Sequence, residues 1–227
     1  MSPPQIVFIH GFLGSPDDWN EYIDHFKNQG YDPIALRLEE ILLNQIPQKI
    51  SPKAHLVGYS MGGRVALYLS SLNPDYFSSL TLLSTNPGLL SEEERNDRHL
   101  WEKEWLEKME TMDVQEFVQE WYSQAAFSFF EPPPRRFEQN MKSVALTFRK
   151  FSIANLPLLW DHLLRIPYRV QMIFGGLDIK YMKLKRKIEE IDNEKRIVLK
   201  TILDRSHAIH LEAPHQVLRE ISNFIRI

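Results

Sequence analysis

Residues 54–72 read AHLVGYSMGGRVALYLSSL, and this stretch decides the fold. Ala54–Tyr59 is a nearly continuous apolar run, as expected of a strand covered on both faces in a parallel sheet. Met61–Ser71 then takes up helical spacing. Between them lies Gly58-Tyr59-Ser60-Met61-Gly62, a G-x-S-x-G at the point where a strand turns into a helix. The glycines let the chain turn sharply around a strained apex. The serine then projects its hydroxyl over the strand end, beside the free N–H groups that open the helix. Ser60 is therefore read as a chemical group rather than an ordinary turn serine.

The same rhythm runs outward on both sides. Gln5–His10 is another apolar run, ended by Gly11. Pro16–Gln29 is predicted as a helix, with Ser15 as N-cap, Pro16 at its first position and Gly30 past its end. Pro33–Leu36, Leu80–Ser84, Tyr168–Phe174 and Arg196–Ile202 are predicted strands. Lys183–Ile191 and the amphipathic His210–Ile227 are predicted helices. Strands alternating with helices imply right-handed crossovers and a mostly parallel sheet flanked by helices, an α/β fold. Asn86–Leu163 breaks the rhythm: it carries Trp101, Trp105, Trp121 and Trp160, with EPPPRR at 131–136, and no clear strand. The expected organisation is a core of residues 1–86 and 164–227 with a helical cap at 87–163.

Composition narrows the function. The chain has 227 residues, 43% hydrophobic, enough for one well-buried core. A formal charge of -3 with no like-charge run gives no footprint for nucleic acid. With no cysteine, disulfides, thiolate catalysis and cysteine metal sites are excluded. Neither HExxH nor GxGxxG occurs, so no metal and no cofactor is expected. The start, MSPPQIVFIHGF, lacks a basic n-region, and its apolar run is too short to span a bilayer. The expectation is a cytoplasmic protein without a membrane partner, as a monomer or small homo-oligomer.

A nucleophilic serine needs a base, and the base needs an orienter. Asp178 follows a predicted strand through Gly175-Gly176-Leu177, and His207 lies in DRSHAIHLEAP, between the last strand and the last helix. Both fall at the sheet edge where Ser60 lies, where sites form in open α/β sheets. Asp204 is the competing orienter. His210 is expected to pack within the final helix and His215 to be solvated, while His25, His55, His99 and His162 lack a suitable loop position. An oxyanion hole needs two backbone donors. Met61, after the serine, and Phe12, in His10-Gly11-Phe12-Leu13-Gly14, are the candidates, with His10 ordering that loop.

HGFLGS, GYSMGG, GGLD and SHAIH, in that order, resemble the α/β-hydrolase superfamily nearly end to end. More narrowly, HGFLGSPDDW (10–19), GYSMGGR (58–64), GLDIKY (176–181) and HAIHLEAP (207–214) resemble the 2-succinyl-6-hydroxy-2,4-cyclohexadiene-1-carboxylate synthases, lyases of the menaquinone pathway. SEEERNDR (91–98), Trp105 and FVQEWYSQAAF (117–127) are similar to the cap of that family. The resemblance implies elimination of pyruvate from a small anionic polycarboxylate substrate. Ser60, activated by His207 and Asp178, would take a carbon-bound proton and form no acyl-enzyme. It also implies that Arg64, Arg98, Trp121 and Tyr59 meet the substrate, Arg64 as a bidentate carboxylate ligand.

The sequence departs from the family at two places. Phe137 stands where the family has an arginine three residues before Asn140, with Arg135 and Arg136 as possible replacements, and Ser206 stands where a glycine usually precedes the histidine. The alternatives on the same fold are a carboxylic-ester or thioester hydrolase and a non-catalytic ligand-binding protein.

Overall fold

The computed structural model of the protein describes residues 2–128 and 130–226. Six strands form one sheet: β1 (Gln5–Ile9), β2 (Asp32–Leu36), β3 (Ala54–Tyr59), β4 (Phe77–Leu83), β5 (Arg169–Gly175) and β6 (Ile197–Ile202). Their order is β2-β1-β3-β4-β5-β6, and every neighbouring pair is parallel. The chain leaves β1 for the edge, returns across the sheet to β3 and then proceeds outward. The connections after β1 and β3 therefore diverge and open a crevice at their carboxyl ends.

The elements form where apolar patterning and caps dictate, with boundaries shifted for local reasons. The predicted helix 16–29 begins as a 3-10 turn, Pro16–Trp19, and continues as α1 (Asn20–Asn28). α2 (Met61–Leu72) follows β3. β4 starts at Phe77, before the expected Leu80, because its polar residues find partners across the sheet. Ser79 Oγ lies 2.8 Å from His55 Nδ1, and Thr81 Oγ1 accepts from Gln171 Nε2 at 3.1 Å. α7 (Ile179–Ile191) starts four residues before the expected Lys183, because the Asp178 carboxylate caps it by accepting the Tyr181 N–H at 3.3 Å. The predicted final helix is two, α8 (Ile209–Glu212) and α9 (Pro214–Ile225). Pro214 has no N–H to continue the first and holds Ala213 out of the helical region, at φ -145°, ψ 55°. Ile227, included in that prediction, lies outside the described residues.

The insertion is helical, with no strand among the described residues of 87–163. It contains α3 (Glu92–Thr111), α4 (Val114–Tyr122), α5 (Met141–Lys150) and α6 (Trp160–Arg165), joined through 3-10 turns at Ala125–Phe127 and Pro134–Glu138. Ser91, Asp113 and Asn140 cap the first three helices by accepting backbone N–H groups. Trp105 and Trp121 meet edge to face at 4.7 Å, and Phe12 of the core enters this cluster 4.5 Å from Trp121 and 4.8 Å from Phe148.

A buried charge cluster fastens the insertion to the core. Asp18, its side chain fully buried, accepts from Arg135 Nη2 at 2.7 Å and from Arg136 Nη2 at 2.7 Å. Burial alone would push this carboxyl up. Arg136, with His210 and Arg135, outweighs burial and holds it below the usual carboxylate range.

Two constraints in the core give measurable expectations. A Cβ at Gly62 would lie 2.2 Å from the His10 carbonyl oxygen and 2.3 Å from that of Ile9, so the first turn of α2 is pressed against the end of β1. Gly62→Ala is expected to cost about 2–3 kcal/mol, lowering Tm by roughly 5–10 °C in a thermal melt. His210 is buried between Tyr59 at 4.0 Å and Trp19 at 5.0 Å, and neither ring nitrogen has a hydrogen-bond partner among the described residues. Burial lowers its pKa to about 3; Asp18 opposes this, and Arg136, His207 and Arg135 reinforce it. The folded-state pKa lies below the unfolded value of about 6.5, so the stabilisation is present above pH 6.5 and is lost as pH falls toward 3. Urea titrations at pH 7 and pH 5 should show the native protein losing about 1–2 kcal/mol more than His210→Phe.

Candidate active site

Ser60 sits at φ 51°, ψ -110°, outside the regions open to ordinary L-residues, directly before α2. The turn is held from both sides: Ser60 N–H donates to Leu83 O at 2.8 Å, and Ser60 O accepts from Arg64 N–H at 3.1 Å. The side chain is only partly buried and points toward His207.

Ser60, His207 and Asp178 are brought together from three separate loops at the carboxyl edge of the sheet. His207 Nδ1 is 2.6 Å from Asp178 Oδ2, and His207 Nε2 is 2.9 Å from Ser60 Oγ. An ionised carboxylate only accepts, so the ring proton lies on Nδ1, and Nε2 is left to accept the serine hydroxyl. Asp178 is 1% exposed and also caps α7 with its other oxygen. Asp204, the competing orienter, is exposed and makes no bond to His207. A Cβ at Gly175 would lie 1.9 Å from Ser206 O, which shows how tightly the loop bearing Asp178 is packed on the loop bearing His207.

The His207 loop has supports that sequence reasoning missed. Glu212 accepts from Ser206 N–H at 2.8 Å and from Ser206 Oγ at 2.5 Å, so the serine in place of a glycine gains a clamp. The insertion supplies another: His207 N–H donates to Ala126 O at 2.9 Å, and Phe127 meets the imidazole edge to face at 5.4 Å. Tyr59 packs on the same ring at 5.4 Å and Tyr181 at 4.6 Å. The three-residue offset of Tyr181 from Asp178 was the one legible signal here, whereas Ser206 and Glu212, six residues apart, form no short-range pattern.

The expected oxyanion donors lie on opposite sides of the crevice. Phe12 follows β1, Met61 opens α2, and neither N–H is used in a backbone bond among the described residues. His10 organises the first loop. Its Nδ1 donates to Gly11 O at 2.8 Å and its Nε2 accepts from Leu38 N–H at 3.3 Å, so both nitrogens are occupied by backbone.

Arg64 lies one turn along α2 from Ser60. It is 6% exposed, has no carboxylate partner among the described residues, and its Nε makes no hydrogen bond. Burial lowers its pKa to about 10; Tyr181 opposes this and Arg98 adds to it. Arg98, expected to meet substrate, is bound within its own helix. Its Nε donates to Glu102 Oε1 at 2.6 Å and its guanidinium covers Trp101 at 4.1 Å. Arg135 and Arg136 do not stand in for the arginine replaced by Phe137, because both are bonded to Asp18. Trp121 is 8% exposed and belongs to the aromatic cluster. Tyr59 is 6% exposed, wedged between His207 and His210, and burial pushes its phenol up. Among the described residues no cluster of His, Asp or Glu could hold a metal ion, and no helix is long and apolar enough to cross a membrane.

Comparison with known proteins extends this geometry. The 2-succinyl-6-hydroxy-2,4-cyclohexadiene-1-carboxylate synthase of Salmonella paratyphi C is 25% identical over 245 residues, covering 99% of this chain and 94% of that protein. The putative synthase of Bacillus subtilis is also 25% identical, covering 97% of this chain and 89% of its own. Protein PHYLLO, chloroplastic, of Arabidopsis thaliana is 24% identical over 258 residues; 96% of this chain matches, but it spans only 15% of that protein's length. The structure of MenH from S. aureus superposes with a TM-score of 0.86 at 24% identity, over 100% of this chain and 94% of that one. A malate-bound esterase from Thermogutta terrifontis has a TM-score of 0.73 at 18% identity, over 99% and 90%. The family model for the alpha/beta hydrolase fold matches residues 36–197, and with the six-stranded parallel sheet this establishes that the chain belongs to the α/β-hydrolase family.

Proposed function

We propose that the protein is a carbon–oxygen lyase that eliminates pyruvate from 2-succinyl-5-enolpyruvyl-6-hydroxy-3-cyclohexene-1-carboxylate, with Ser60, His207 and Asp178 as its catalytic triad. The observation that carries the reading is Arg64. A buried guanidinium without a carboxylate partner is costly, and its burial one turn from the reactive serine is offset once an anionic substrate binds there. Full-length similarity to the synthases supports the same substrate class. In this reading the segment 87–163 is the cap, and Trp121 and Phe12 form an apolar wall over the crevice.

The reaction follows from the hydrogen-bond chain. Ser60 gives its proton to His207 Nε2, and the imidazolium is stabilised by Asp178 at 2.6 Å. The serine oxygen takes a carbon-bound proton of the ring. The electron pair of that C–H bond forms a double bond to the adjacent ring carbon, the existing ring double bond shifts one position toward the carbon bearing the leaving group, and the bond from that carbon to the enolpyruvyl oxygen breaks, leaving the conjugated diene. His207 returns a proton to the leaving group, which tautomerises to pyruvate. The N–H groups of Phe12 and Met61 hold the developing enolate oxygen. No acyl-enzyme is formed.

Pyruvate release from the enolpyruvyl substrate tests this directly. The native protein should release pyruvate well above the spontaneous rate, and Ser60→Ala should fall to that rate. Arg64→Ala should lose roughly 10- to 100-fold in kcat/KM, the worth of a charge-assisted contact. Absence of release, together with hydrolysis of short p-nitrophenyl esters, would replace the lyase by an esterase.

A further inference from the structure

Glu212, at the end of α8, makes no ion pair among the described residues, and both of its carboxylate oxygens go to Ser206. Oε2 accepts the Ser206 N–H at 2.8 Å, and Oε1 accepts the Ser206 hydroxyl at 2.5 Å. Ser206 is fully buried and directly precedes His207. A carboxylate bonded twice to one buried residue fixes that residue's backbone and side chain together, and bonds to an ionised acceptor are the stronger kind. The second bond needs the hydroxyl, which a glycine at 206 would not supply.

The loop from β6 to α8 has no regular ladder to hold it, and three consecutive residues are tied instead to three different elements. Arg205 O accepts from Leu177 N–H at 2.9 Å, Ser206 N–H donates to Glu212, and His207 N–H donates to Ala126 O at 2.9 Å. Of these three ties only the one at Ser206 is made by a side chain. α8 has four residues, too few to be stable alone. It is fastened by the Tyr22 hydroxyl, which donates to His210 O at 2.9 Å, and by the His210 ring between Tyr59 and Trp19. Glu212 therefore carries the position of a fastened helix to Ser206 and, through one peptide, to His207. The imidazole has little slack, because Nδ1 lies 2.6 Å from Asp178 and Nε2 lies 2.9 Å from Ser60. A displacement of about 1 Å breaks the alignment of one bond or the other.

We infer that Glu212 is a positioning residue that holds the His207 imidazole in line between Asp178 and Ser60, acting through the N–H and the hydroxyl of Ser206. The inference rests on the reading of Ser60 and His207 as reacting groups, but not on the identity of the substrate. Glu212 acts on the base alone, so it governs turnover and not affinity.

Phosphonylation of Ser60 by a fluorophosphonate probe needs His207 as base and reads its positioning apart from the lyase reaction. At a temperature well below its melting point, Glu212→Ala is expected to be labelled about 10- to 100-fold more slowly than native protein, and Ser206→Ala about 3- to 10-fold more slowly. Glu212→Gln keeps the shape and one acceptor, so its rate should lie between those of native protein and Glu212→Ala. The double variant Ser206→Ala/Glu212→Ala should be no slower than Glu212→Ala, since the serine acts through the carboxylate. With the enolpyruvyl substrate the variants should lose kcat in the same order, with KM within about 2-fold. A lowered melting temperature with labelling at the native rate overturns the inference, since Glu212 would then be a structural support only. Additive losses in the double variant overturn it, as does a raised KM with unchanged kcat. Should Glu212→Ala not fold, Ser206→Ala decides, and labelling of that variant at the native rate overturns the inference. Slowed labelling of the variants of a protein that releases no pyruvate supports the inference and removes only the lyase reading. Native protein that the probe does not label removes the reading of Ser60 itself, and this inference with it.

Discussion

The close approach of α2 to the end of β1 is the constraint on which the site depends. At Gly62 the backbone of the helix and the carbonyls of Ile9 and His10 leave no room for a side chain. The helix can enter that space only if the chain reverses within one residue after β3, and Ser60 takes the strain at φ 51°. The same approach puts the open N–H of Met61 opposite the loop bearing Phe12. One packing contact thus exposes the hydroxyl and brings together the two backbone donors that would receive a developing negative charge. Neither could be moved without the other, because both hang from one backbone contact.

Charge is distributed around this turn by a consistent rule. Asp18, buried, is matched by Arg135 and Arg136 and draws the loop before α5 onto the core. Arg98 is matched by Glu102, whose second oxygen accepts from Ser152. Against these paired cations Arg64 stands out as buried and unmatched. Truncating one partner of a buried pair is expensive, so a fold does not leave a guanidinium in that state without a use for it. The contrast among four arginines of one chain, rather than any single distance, is what supports the proposal of Arg64 as an anion ligand.

The sheet was readable from residues 54–72 because apolar runs, glycines and a helix start coincide there. Ser60, Asp178 and His207 were readable because each follows a strand at the same edge. What the sequence concealed has physical causes. The Asp178 carboxylate serves two roles at once, and reading it only as an orienter hid the start of α7. Pro214 splits the last helix although the apolar stripe continues through it, since periodicity is blind to one missing donor. Arg98 has the pattern of a substrate ligand, but Glu102 lies four residues on, and that pairing is the closer contact. Contacts made across long separations, such as Asp18 with Arg136 or His207 with Ala126, leave no periodic trace in either partner.

The insertion is joined to the core at three different kinds of contact, and each falls beside a different part of the site. Phe12 carries the aromatic cluster down to the first loop, Asp18 ties the 3-10 turn at Pro134–Glu138 to the helix that follows that loop, and Ala126 accepts from the backbone of His207. With Phe127, Tyr59 and Tyr181 arranged around the imidazole, the ring is shut off from bulk water on its faces and edge, while its two nitrogens remain bonded to Asp178 and Ser60. A low local dielectric strengthens both of those bonds and penalises any unpaired alternative. The helical segment therefore contributes directly to the surroundings of His207, through the ring of Phe127 and the carbonyl of Ala126, while Tyr59 and Tyr181 come from the core.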